Sequence, residues 1–142
     1  MTKVLNSLLV LHLLLSGGYS FAQQAPYDAL AQNLENSRIR LEQVEASTET
    51  SDIRLVEPLQ QLAEALIDMN LYAEAHIALD RAIQIARIDD GLFTPRQRGL
   101  QIRKIENLIY QGDWGRARQD MEHLTWLYIN KSDTIDEELV ND

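Results

Sequence analysis

The 142 residues contain no cysteine, which excludes a disulfide framework and a lipid-modified N-terminal cysteine and leaves apolar burial alone to hold the fold. A basic excess is also missing. Thirteen Lys and Arg stand against 22 Asp and Glu, a net charge of −9, so nucleic acid and anionic lipid surfaces are poor partners. No apolar run reaches the ~20 residues that a bilayer crossing needs; Val4 to Leu15 is interrupted by Asn6, Ser7 and His12. Strand signals are absent too, with no alternating apolar run and no tight hairpin dipeptide between β-branched segments. Asp90-Gly91 is flanked by helical patterns and is expected to end a helix, with Gly91 as a left-handed cap residue.

What is present first is a leader. Lys3, the short apolar run, Ser16-Gly17-Gly18 and the small residues Ser20 and Ala22 predict a signal peptide over 1–22, cut before Gln23. The mature protein is then expected in the periplasm or secreted, without stable membrane insertion, and loss of Lys3 makes it one unit more acidic. From Tyr27 the pattern is helical. Leu30, Leu34, Leu41 and Val44 form one apolar stripe, predicting a helix from about 27 to 45, and the Ser- and Thr-rich stretch after Glu45 reads as a loop.

The remainder repeats itself at a spacing of 42 residues. Leu66 matches Leu108, Ile67 matches Ile109, Asn70 matches Gly112, Tyr72 matches Trp114, Ala75 matches Ala117, Leu79 matches Met121 and Ile85 matches Leu127. Asn70 and Gly112 both tolerate the left-handed conformation that reverses the chain between two helices. The alanines five residues later allow the helices of each pair to approach closely. Asp52, Thr94 and Asp136 share the same spacing and are expected as helix N-caps, with Pro95 suited to the first helical position. Pro58 is expected to kink or delay the first of these helices.

The stretch with Leu59, Leu62, Ala63, Leu66, Tyr72, Ala75, Leu79 and Ala82, followed by Leu108, Gly112, Trp114, Ala117, Met121 and Leu124, resembles the tetratricopeptide repeat in its long-period, kinesin light chain-like form. Gln101 and Lys104 depart from the family's apolar pattern, and Ile105 replaces a small residue. The resemblance implies an all-α, short right-handed stack of antiparallel helix pairs. Two repeats are expected, at 52–93 and 94–135, after an N-terminal helix and loop (23–51) that serves as a cap, with 136–142 starting an incomplete third. About three units usually make a stable stack. The second repeat's outer helix is therefore expected to leave Met121 and Leu124 uncovered.

Motifs of chemistry are missing. His76 and His123 have no second His or Cys at ligand spacing, "GDWG" lacks the spacing of a phosphate loop, and acidic neighbours such as Asp89 and Asp90 read as caps and solvated faces. No catalytic residue, cofactor or metal site is expected. The family resemblance implies instead a groove along the inner helices, at Gln60, Glu64, Ile67 and Asp68, then Ile102, Arg103, Glu106, Ile109 and Tyr110, able to bind an extended peptide. Trp126, Leu127, Tyr128 and Ile129 form a second candidate surface for association. The expected role is a non-catalytic module that binds a partner protein or peptide or self-associates. The alternative is a shortened or homo-oligomeric structural relative of a longer repeat protein.

Overall fold

The Leu30–Val44 stripe becomes the buried side of helix α1, which spans 26–45. The computed structural model describes the backbone of residues 26–140 except 92 and 93, and side chains as far as Ile129; the leader expected over 1–22 lies outside the described residues. Leu34 and Leu41 are buried, and Val44 packs against the same cluster. Polar contacts fix the angle at which α1 lies on its neighbours: Arg40 Nη1 donates to Gln61 Oε1 at 3.1 Å, Arg38 pairs with Glu74 at 3.5 Å, and Arg81 with Glu45.

After the loop, Asp52 accepts from the Arg54 N–H at 2.8 Å and opens a 3-10 turn, Ile53–Leu55, that leads into α2, Val56–Asp68. Pro58 thus becomes the third residue of α2. The first four N–H groups of a helix have no partner inside it, so the proline removes no bond there; the delayed start at Val56 is how the chain accommodates it. Helix α3 is Tyr72–Asp90, α4 is Pro95–Tyr110 and α5 is Trp114–Val140. Thr94 caps α4, its hydroxyl accepting from the Gln97 N–H at 3.2 Å.

The two tight turns share one hydrogen-bond scheme. At the end of α2, the Asn70 N–H donates to Ile67 O and the Leu71 N–H to Leu66 O, both at 2.8 Å. At the end of α4, the Gly112 N–H donates to Ile109 O at 3.0 Å and the Asp113 N–H to Leu108 O at 2.9 Å. Both are Schellman closures, which need a positive φ at the first residue after the helix; Asn70 has φ 60° and Gly112 φ 81°. Gly91 also has positive φ, 79°, but its ψ of −169° puts it outside the left-handed helical region expected for it. Ala75 and Ala117, just past the two turns, are 0 % and 4 % exposed.

Among the described residues the fold is all-α: five helices, each packed on its neighbours, with no strand. The main core runs from Leu34 through α2 and α3 to Leu100, and a smaller cluster of Ile105, Leu108, Ala117 and Leu124 joins α4 to α5. Between the two clusters stands Lys104. Its ammonium lies 2.8 Å from Asp80 of α3 and 3.8 Å from Asp120 of α5, so a charged link takes the place of apolar contact where the repeat pattern asked for it.

Two further expectations are corrected. Helix α5 runs unbroken to Val140, so Asp136 lies inside it and does not start a new helix; the sequence after Gly115 contains neither glycine nor proline to stop the helix. Leu124 is 8 % exposed and belongs to the α4–α5 core, whereas Met121, 46 % exposed, is indeed uncovered. The helical rotation separates them: Leu124 lies toward α4, while Met121 has turned past the contact.

Candidate functional site

Helix α2 presents Gln60 and Glu64 one turn apart, and the Gln60 amide donates to Glu64 Oε1 at 3.2 Å. Arg103 of α4 comes from the facing side. Its Nε lies 3.8 Å from Glu64 Oε1, and its Nη1 donates to Glu106 Oε2 at 2.8 Å. The bond to Glu106 holds the guanidinium pKa above its ordinary value, against the opposing effect of burial. At 3.8 Å the Nε–H is too far from Glu64 for a hydrogen bond, and it has no other acceptor. Gln60, Glu64, Arg103 and Glu106 thus form one polar row crossing from α2 to α4.

The other residues expected in the groove divide. Asp68 is exposed and lines a polar cleft of about 410 Å³ between α2 and α1, with Gln61, Glu64, Asn33, Asn36, Ser37 and Arg40. Ile102 is 40 % exposed, and Tyr110 is exposed and stacks on Tyr72 with ring centres 6.4 Å apart. Ile109 is half-buried against the α4–α5 cluster. Ile67 is not a groove residue: it is 9 % exposed and part of the main core, because it lies on the side of α2 that turns into the bundle. Helix α1's share of the cleft was missed from sequence, although Asn33, Asn36, Ser37 and Arg40 recur at three- and four-residue steps beside the Leu34–Leu41 stripe.

The C-terminal surface also divides. Trp126 and Ile129 are 61 % and 58 % exposed. Leu127 and Tyr128 are half-buried, and Tyr128 turns back onto α4, its hydroxyl 3.4 Å from Thr94 O and the Arg98 guanidinium 5.5 Å from its ring centre. Trp114 joins the exposed side of α5.

His76 is half-buried, its Nε2 3.4 Å from Asp80. Burial lowers its pKa below the ordinary value, and the Asp80 carboxylate only partly opposes this. His123 is exposed and stacks on Trp126. Among the described residues no group of His, Asp or Glu could hold a metal ion, and no helix is long and apolar enough to cross a membrane. No protein-family model matches the chain, and no curated protein is detectably similar to it.

Proposed function

We propose that this chain is an exported, non-catalytic interaction module of tetratricopeptide type that holds an extended segment of a partner protein against α1, α2 and α4. The family reading is supported by the two Schellman turns with one bonding scheme and by the buried alanines that follow them. The observation that carries the binding role is the connected row Gln60–Glu64–Arg103–Glu106, continued by the Asn- and Gln-lined cleft beside α1. Such a surface offers donors and acceptors in alternation, which an extended backbone can satisfy along its length, while Ile102 and Tyr110 supply apolar contact at its edge. Export is inferred from the leader over 1–22.

The test is site-specific photo-crosslinking in the producing cell. A photoreactive residue at position 60 or 106 should yield a discrete heavier adduct with a partner, and one at the exposed position 87 should not. Glu64→Lys should weaken the adduct. If positions 60 and 106 give no adduct above position 87, the groove reading fails.

A further inference from the structure

Helix α5 carries, on one exposed side, the residues Trp114, Arg118, Glu122 and Trp126. The constant four-residue step makes them a single ridge, and its order is apolar, positive, negative, apolar. Read in the opposite direction, apolar still faces apolar and the two charges exchange sign. Met121 and Ile129, both exposed, lie in the adjacent ridge and leave a groove between the two.

We propose that this side of α5 is the contact between two copies of the chain, related by a two-fold axis that passes between Arg118 and Glu122, with the α5 helices antiparallel. Three observations lead there. The first is that a helix is expected to cover this side. On α3 the equivalent positions are Tyr72, His76, Asp80 and Gln84, and α4 meets this side: Asn107 donates to Tyr72 O at 2.9 Å, Tyr72 stacks on Tyr110, Asp80 is bonded to Lys104 at 2.8 Å, and Gln84 shares a cleft with Lys104 and Ile105. On α5 no described element lies over Arg118 or Glu122. The second is charge. Arg116 is bonded to Asp113, and Asp120 pairs with Lys104, whereas Arg118 and Glu122 make no ion pair with another described residue. An acidic chain of net charge −9 repels its own copy over most of its surface, but this ridge carries one charge of each sign. The third is symmetry. An isologous contact must be self-complementary, and the antiparallel arrangement sets Arg118 of each copy against Glu122 of the other and Trp114 against Trp126, so both charges and both indoles are used twice.

The inference adds a partner for α5 to the interaction-module reading, and it can fail without touching the groove. Sedimentation and light scattering on the full exported protein should give twice the monomer mass. Arg118→Glu alone and Glu122→Arg alone should each weaken self-association by roughly tenfold or more, since each places like charges together. The double exchange Arg118→Glu with Glu122→Arg should restore it, and the two single variants mixed should form a heterodimer. Both positions are exposed, so far-UV circular dichroism should stay helical throughout. A wild-type monomer, or an association that both single variants retain, overturns the proposal. A dimer that the double exchange fails to restore overturns the antiparallel α5 contact. Adducts at positions 60 and 106 with a monomeric wild type would leave the groove reading intact while removing this one.

Discussion

Ala75 and Ala117 occupy equivalent places after the two turns, so replacing each with leucine asks one question of two different surroundings. Ala75 is fully buried in the main core, on α3, which packs against α2. Three added carbon atoms there have no space, and overpacking of a closed site costs about 1–3 kcal/mol; Ala75→Leu belongs at the upper end, near 2–3 kcal/mol. Ala117, 4 % exposed, belongs to the smaller cluster, and Met121 one turn on is 46 % exposed. A leucine there can lean toward the uncovered side, so about 1 kcal/mol is expected. For a chain of this size 1 kcal/mol moves the melting temperature by about 3–6 °C. Urea denaturation followed by far-UV circular dichroism gives both values, with Ala73→Leu, at an exposed position of α3, as a control near zero. An Ala75→Leu chain as stable as the parent, or one harmed less than Ala117→Leu, would refute the close approach of α2 and α3 argued from burial.

The glycines offer a test of opposite signs: Gly99 lies inside α4 with open space where a Cβ would stand, so Gly99→Ala should stabilise by about 0.5–1 kcal/mol. Gly112→Ala should destabilise by about 1 kcal/mol or more, because φ is +81° at that turn; thermal melts decide both. His76 has a folded-state pKa below its ordinary value of 6.5, so the unfolded chain takes up its proton first. Stability should be full above about pH 6.5 and fall as pH drops from there to the folded pKa, and a pH series of melts on His76→Gln should lose that slope. Asp52 and Asp113 act lower. Each carboxylate is held below its ordinary 3.8 by an arginine, Asp52 chiefly through the Arg54 side chain and Asp113 chiefly through the Arg116 backbone N–H, so their contribution, present above that value, is lost only as pH falls through the lowered pKa. The proposed leader is tested by mass spectrometry of the protein recovered from the producing cells, whose chain should begin at Gln23; an intact Met1 on membrane-bound protein would contradict the leader.

The two caps and the two turns show why the helices were legible in the sequence. A helix start needs one side-chain oxygen near its first N–H groups, which Asp52 and Thr94 supply locally. A Schellman turn needs one residue that accepts positive φ, and Asn70 and Gly112 announce it. These are demands that a residue meets with neighbours a few positions away, so position in the sequence is enough to reveal them. The apolar stripe of α1 was legible for the same reason.

Tertiary structure decided what depends on how helices cross. Ile67 and Leu124 turned inward while Met121 and Trp126 stayed in water, because a rotation of one residue about a helix axis moves a side chain by ~100° and only the neighbour's path says which angles are covered. Lys104 broke the apolar pattern as a residue in a string; its meaning came from Asp80 and Asp120 on two other helices. The cleft between α1 and α2 likewise exists only where Asn33, Asn36 and Arg40 meet Gln61 and Glu64 across a helix contact. The sequence by itself determined the helices and the turns that separate them, since those are local bargains between backbone and side chain. Which faces were left to meet a partner was decided by packing, since exposure belongs to a pair of surfaces and not to a residue.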